Sequence, residues 1–318
     1  MERKKVVVIG GGTGSFTVLR GLKNYPLDIT AVVTMFDSGG SSGVLRDEFG
    51  ILPPGDARRC LVALSDGEKE EMLRNLFNYR FNNNGSSLHG HSFGNLFLAA
   101  LTNIVGNEAQ AIKEAGNILN IKGQVLPVSL GKSQLCAELE TGEIIEGETH
   151  IDIPKHEGSL KIRKVFLKPD VSIYPETEKA IKLADIIIIA PGDLYTSIIP
   201  NILVKGVAEA LQKSPAKIIY VLNLITKWGE THGFVGSDFA REVLSYISLS
   251  RFHSIIYNTH PVPAKLLEAY AAEKKYPVLI DDKLKDYAET LIPADVFSDD
   301  DPYLRHDSDK LAAVLANI

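Results

Sequence analysis

The sequence predicts a three-layer, doubly wound α/β fold: a mostly parallel sheet carrying a helical insertion and a small antiparallel β-meander. Three observations support this. An apolar, β-branched run at 6–9 passes through Gly10-Gly11-Gly12-Thr13-Gly14 into helical spacing at 15–22. From 176 onward helix and strand patterns alternate, as parallel strands require, because each crossover between them needs a helix. Between 123 and 168 the apolar period changes to two, the mark of antiparallel strands joined by turns.

Taken in order, the first strand and helix lead to a second strand at 29–36, which ends at Asp37. A loop of glycines and serines follows, Ser38-Gly39-Gly40-Ser41-Ser42-Gly43, and then the rigid turn Pro53-Pro54-Gly55-Asp56 before a helix bearing Arg58 and Arg59. Residues 68–120 read as helical, with three-and-four spacing at 70–81 and 94–104 and an Asn-rich break at 82–85. Strands are expected at 124–130, 134–139, 143–148 and 161–167. The alternation then gives helices at 176–184, 197–212 and 236–246 and strands at 185–190, 217–223 and 254–258. The run Ile186-Ile187-Ile188-Ile189-Ala190 is apolar throughout, as a parallel strand buried on both faces must be. The whole is one domain, 1–318, with an N-terminal nucleotide-binding half (1–66), a helical insertion (67–122), the β-meander (123–168) and a C-terminal α/β half (169–318). In such Rossmann-like sheets ligands collect at the carboxyl ends of the strands where strand order reverses. The turns after Ile9, Phe36, Ala190 and Leu222 are expected on that edge.

Composition narrows the function. A chain of 318 residues with 45% hydrophobic and 23% charged residues can bury a large core. Its net charge of −6 and pI near 5.8, with no basic run longer than Arg3-Lys4-Lys5, argue against a nucleic-acid partner. An anionic ligand must therefore be held by local amides, a few cations or a metal. Cys60 and Cys136 lack metal-ligand spacing and read as free thiols of a reducing compartment. No signal peptide precedes Val6 and no apolar run approaches the roughly 18 residues of a membrane span, so a cytoplasmic protein is expected.

The candidate site starts at the first glycine turn. Gly10, Gly11, Gly12, Thr13 and Gly14 free the amides of the following helical turn, and the positive end of the helix dipole faces any diphosphate above them. Gly10 and Gly12 occupy the first two places of a dinucleotide fingerprint, but Ser15 stands where a third Gly or Ala packs helix on strand; no NAD(P) is expected. Asp37 sits where a carboxylate grips a ribose hydroxyl. Ser38, Gly39, Ser41 and Ser42 either donate hydrogen bonds to a phosphate or sugar or form a solvated loop, and Arg46 supplies a cation. Asp56 either caps its helix or, with hard oxygens, holds a divalent cation such as Mg²⁺ against phosphates; Asp37 is the second candidate metal ligand. In His91-Ser92-Phe93-Gly94-Asn95, His91 donates a hydrogen bond and Asn95 reads a base or sugar edge, or the segment only caps a helix. Pro191-Gly192-Asp193-Leu194-Tyr195-Thr196-Ser197 repeats the strand-turn-helix device, with Asp193 expected at the N-cap or facing ligand through a metal and Thr196 offering a hydroxyl. Asn223 ends a buried strand as a further reader, and Trp228 reads as loop packing. No nucleophile stands beside a base, so no catalytic residue is assigned.

These motifs, in this order and across nearly the whole chain, strongly resemble the bacterial gluconeogenesis-factor (YvcK-like) family, within the superfamily of 2-phospho-L-lactate transferase (CofD-like). The resemblance implies a nucleoside-diphosphate-linked ligand, with Gly12, Thr13 and Gly14 on the diphosphate, Asp37, Ser41 and Ser42 completing that pocket, and Asn95 and Asn223 on nucleotide or sugar. It implies a regulator of cell shape and cell wall during gluconeogenic growth that binds a UDP-amino sugar and acts through protein partners. The alternative it implies is a Mg²⁺-dependent transferase moving a phospholactyl group from a guanosine diphosphate conjugate to a flavin-like acceptor. Asp193 stands where the family usually has Ser, and Lys227 where Gln is common. A homodimer through the 94–104 helix or the β-meander is a further expectation.

Overall fold

A computed structural model describes residues 3–66, 70–155 and 157–318 of the chain. β1 (Lys5–Gly10) leads through α1 (Gly12–Leu22) to β2 (Asp28–Val33). Helices α2 (Gly40–Phe49), α3 (Gly55–Leu64), α4 (Glu70–Asn78), α5 (Phe93–Val105) and α6 (Glu108–Ile118) then precede β3 (Gln124–Pro127). β4 (Gln134–Leu139), β5 (Ile144–Glu146), the short α7 (Glu148–Asp152) and β6 (Ile162–Lys168) follow. The second half runs through α8 (Pro175–Leu183), β7 (Ile186–Ile189), a π-helical turn (Leu194–Ile198), α9 (Ile199–Ile202), α10 (Val207–Lys213) and β8 (Lys217–Val221). It ends with α11 (Gly236–Ile247), β9 (Phe252–Asn258), α12 (Ala264–Ala272), a 3₁₀ turn (Asp282–Tyr287), β10 (Ala288–Ala294) and α13 (Ser308–Ala316).

Among the described residues, seven strands form one sheet in the order β10-β9-β8-β7-β1-β2-β3, and every pairing in it is parallel. β1 is the switch point: β2 and β3 extend to one side of it and β7 to β10 to the other. Both faces are covered, and the alternation of Cβ atoms along each strand divides the core in two. Val7, Ile9, Ile187 and Ile189 join one apolar cluster, and Val6, Val8, Ile186 and Ile188 the other. That is why these strands read as unbroken apolar runs: each side chain contributes roughly 1.5–3 kcal/mol of burial on one face or the other. α1 buries Ser15, Val18, Leu19 and Leu22, spaced three and four apart. Gly21 on the same helix lets α13 approach until a Cβ there would lie 2.0 Å from the Ser308 carbonyl oxygen. α5 starts at Ser92, whose hydroxyl accepts the Asn95 N–H at 3.3 Å, and stops at Gly106, where φ is +86°.

The expected fold holds, with local corrections. Segment 124–130 does not belong to the meander: its first four residues are β3, paired in parallel with β2, so the helices before it form a crossover within the main sheet. The antiparallel sheet is β5-β4-β6. The start of the insertion, placed at 67, falls on 67–69, outside the described residues. The serine-glycine segment 38–43 is not a loop but the entry to α2; the Asp37 carboxylate accepts the Gly39 N–H at 2.8 Å, and tertiary burial of Ser41 and Ser42 overrides their weak helix propensity. β2 ends at Val33, four residues before Asp37. The helix expected at 197–212 is broken, with Pro200 in α9 and Gly206 at φ +99° before α10. Periodicity missed the five-residue α7 and everything after 258, where the sheet-edge strand β10 contains Pro293 and so lacks one ladder donor.

The turn after β1 and the turn after β7 touch. A Cβ on Gly14 would lie 1.7 Å from the Pro191 carbonyl oxygen, a backbone atom. Gly14→Ala is therefore expected to lower the free energy of unfolding by roughly 3 kcal/mol, whereas Thr13→Ala, on the exposed neighbour, should stay within about 0.5 kcal/mol of wild type. Urea unfolding measures both; equal stabilities would mean that the two turns are not in contact.

Candidate functional site

The carboxyl ends of β1, β7 and β8 open into one cleft of about 520 Å³. Its floor is the pair of glycine turns, Gly11 to Gly14 and Pro191 to Leu194, and its wall is the segment Asn223 to Lys227 after β8. The described chain brings Thr17, Arg59, Asp152, Tyr270, Lys275, Arg305 and His306 to the same space. Thus Gly11, Gly12, Thr13, Gly14, Asp193 and Asn223 meet at one cleft, as do the turns after Ile9, Ala190 and Leu222, whereas the turn after Phe36, expected with them, contributes no residue to its lining. Gly10 lies just beneath, where a Cβ would be 2.6 Å from the Ser15 hydroxyl and 3.0 Å from Ala190.

The amide end of α1 is not bare. The Gly12 N–H donates to the Asp56 carboxylate at 2.8 Å, and the other Asp56 oxygen stands 2.3 Å from where a Gly11 Cβ would be. Asp56 therefore serves the start of α1 and not its own helix, whose N-cap is Pro54. Burial pushes the Asp56 carboxyl up to about 6; Arg59 opposes that rise and Asp37 adds to it. Arg59 is exposed and reaches the mouth of the turn, 3.3 Å from the position of a Gly12 Cβ.

Behind Asp56 lies a second polar layer. Gly55 has no side chain because Ser42 Oγ and Asp37 Oδ2 occupy the space, 2.6 and 2.9 Å from a Cβ. The Asn95 amide donates to Ser41 Oγ at 3.2 Å and to Ser42 Oγ at 3.4 Å, and Ser41 Oγ is 3.1 Å from His91 Nδ1. All four side chains are buried. None of the four is among the residues that line the cleft, so His91 and Asn95 stand behind it and not at its surface as expected of readers of a base or sugar; Asn95 Oδ1 is without a partner. Ser38 binds Thr149 across chain segments. Asp37 accepts the Gly39 N–H through one carboxylate oxygen and is not among the residues lining the cleft. Arg46 pairs with its neighbour Asp47 at 2.8 Å, outside the cleft.

Two features of the β7 turn differ from expectation. Asp193 stands at the N-cap position of the π turn but makes no capping hydrogen bond; its carboxylate pairs with Lys227 Nζ at 3.0 Å. Thr196 is buried, lies 3.5 Å from Glu230 and is not among the residues lining the cleft. Asn223 Nδ2 donates to the Gly192 carbonyl at 2.6 Å, locking the β7 turn to the β8 loop. Trp228 packs as expected, against Gly158 and beneath Lys274.

Sequence reasoning missed Glu148, Asp152 and Glu230, which carried no local signal: α7 is too short for periodicity, and Glu230 is an acid in an irregular loop. Burial raises the Glu148 carboxyl to about 8, helped by Asp37 and Asp152, and raises Glu230 to about 7 against the pull of Lys227. His306, at the cleft, is driven down to about 4 by burial and is neutral.

A doubly wound α/β protein with a cleft floored by two glycine turns at its switch point is the class that fold and site define. The chain matches the family model described as 2-phospho-L-lactate transferase CofD over residues 6–297. It is 44% identical to the "Gluconeogenesis factor" of Halalkalibacterium halodurans, covering 99% of this chain and 96% of that protein, and 41% identical to that of Bacillus subtilis, covering 100% and 98%. A crystal structure of a UPF0052 family member from Bacillus halodurans superposes with a TM-score of 0.93 at 42% identity, covering 99% of each chain. The chain belongs to the CofD family, in the branch of the gluconeogenesis factors. Among the described residues no helix is long and apolar enough to cross a membrane.

The raised carboxyl of Glu148 has a definite consequence for stability. Its ordinary value is 4.5 and its folded value about 8, so between those values the folded chain holds a proton that the unfolded chain releases. Its contribution is complete below about 4.5 and lost as pH rises through about 8. Glu148→Gln should flatten the fall in urea midpoint between pH 5 and 8, and an unchanged slope would remove Glu148 as its source.

Proposed function

We propose that the cleft binds a nucleoside diphosphate-linked sugar of the UDP-amino-sugar type, and that the chain is a cytoplasmic regulator of cell shape and cell wall during gluconeogenic growth, acting through protein partners. The observation that carries the ligand reading is the convergence of two glycine turns with the α1 amide end and with Arg59, Lys275 and Arg305 around one cleft. Backbone amides and a few cations suit a diphosphate on a protein whose overall charge is negative. Thr13 and Gly14 lie against the diphosphate, and Asn223, fixed through Gly192, faces the nucleoside or sugar. The name gluconeogenesis factor, carried by relatives over 40% identical, supports the physiological part.

One specific observation favours a second reading, a Mg²⁺-dependent transferase of the 2-phospho-L-lactate type. Asp56 accepts the Gly12 N–H at 2.8 Å, and Asp37 and Glu148 accept the successive Gly39 and Ser38 N–H groups at 2.8 and 3.3 Å, so hard carboxylate oxygens gather behind the first glycine turn, a donor type that fits Mg²⁺. Asp37 and Asp56 would hold the ion, which when bound would offset phosphate charge. With Asp56 ionised and no cation, the carboxylate repels a diphosphate at the α1 end.

Calorimetry with UDP, GDP and a UDP-amino sugar, with and without Mg²⁺, separates the readings. The regulator reading expects UDP-sugar selectivity, abolished by Thr13→Arg, which fills the phosphate position. Guanosine selectivity with strict Mg²⁺ dependence, lost in Asp56→Asn, would instead select the transferase. Absence of binding by all three would sink both.

A further inference from the structure

Three separate segments deliver carboxylates to one point on the cleft wall: Asp152 from α7, Asp193 from the β7 turn and Glu230 from the loop after β8. One oxygen from each lies within 4.8 Å of the others. The space among them is filled by Lys227 Nζ, 2.9 Å from Glu230, 3.0 Å from Asp193 and bonded to Asp152. An ammonium has three N–H groups and three acceptors meet it here, so none is left for a ligand. Lys227 thus acts on the cleft through its charge and not by touching what binds.

The lysine is also fixed in place. Its own N–H donates to Thr231 Oγ1 at 2.9 Å, and its neighbour Thr226 exchanges hydrogen bonds with Tyr276 at 2.8 and 3.1 Å. Glu230 is filled from behind by the Tyr195 N–H at 3.2 Å and by Thr196. Burial works against the Lys227 charge, yet the carboxylates outweigh it and hold the ammonium protonated above the usual lysine range. Asp193 lines the cleft beside Gly12 to Gly14, where an uncompensated carboxylate would oppose a bound anion.

We infer that Lys227 is a tethered cation: its ammonium takes the place among Asp152, Asp193 and Glu230 that a divalent ion would otherwise fill, and so lets a phosphate lie beside the Asp193 turn without metal there. The ligand half of this inference rests on the nucleotide reading above, and the metal half does not. With the ammonium gone, three hard oxygens remain in a set that Mn²⁺ accepts.

Mn²⁺ binding to the full chain, without nucleotide, tests the metal half. Lys227→Met, and Lys227→Gln, which keeps a donor for the cage and so protects the fold, should each bind one more Mn²⁺ equivalent than wild type. Adding Asp193→Asn to Lys227→Met should remove that equivalent. With metal absent, UDP should bind Lys227→Met roughly tenfold more weakly than wild type, as loss of one charge-compensating group predicts, and Mn²⁺ should restore it. Folded variants with no extra Mn²⁺ site, or a wild-type Mn²⁺ equivalent that Asp193→Asn abolishes, would overturn the inference. If UDP binds none of the proteins while the extra Mn²⁺ site appears, the nucleotide reading fails and the lysine assignment stands.

Discussion

The architecture depends on the approach of two backbone turns at the switch point. β1 pairs with β2 on one edge and β7 on the other, so the chain must leave β1 and β7 side by side at the same end of the sheet. The two exits come so close that no side chain fits between Gly14 and Pro191. This contact sets where α1 begins, which amides face the cleft and how near the Asp193 turn lies to them. Two apolar layers, one per sheet face, keep the strands from shearing and so keep the exits in register.

Upon that frame the site is arranged as two acidic regions flanking a glycine floor. On the β2 side Asp37, Asp56 and Glu148 crowd together, and burial, with the neighbouring carboxylates adding to it, raises Asp56 and Glu148. On the β8 side a comparable crowd is partly compensated by an internal lysine. The same physical problem, carboxylates converging beside the glycine turns, thus has two answers in one molecule. One region retains room for a proton or a metal to adjust its charge, and the other has its cation built into the chain.

The buried layer of Ser41, Ser42, His91 and Asn95 shows how a motif of hydroxyls, an imidazole and an amide can lie away from a cleft surface. These side chains bond to one another, as buried polar groups must, since an unsatisfied one costs about 1–3 kcal/mol. Only Asn95 Oδ1 among them is left without a partner.

By itself the sequence determined the sheet, because parallel strands buried on both faces must be apolar throughout and their crossovers must carry helical periodicity. It also determined that the two glycine turns lie on one edge, since both follow parallel strands of the same sheet and their carboxyl ends open into one cleft. Tertiary structure decided which polar residues share a space. Asp193 and Lys227, 34 residues apart in sequence, stand out separately when read along the chain and form one ion pair when folded. Arg305 and Glu148 carry no local signal, yet one meets the cleft and the other closes the carboxylate cluster. Periodicity records the burial of a face, which is local, whereas the meeting of charges depends on strand order and loop paths that no short stretch of residues encodes.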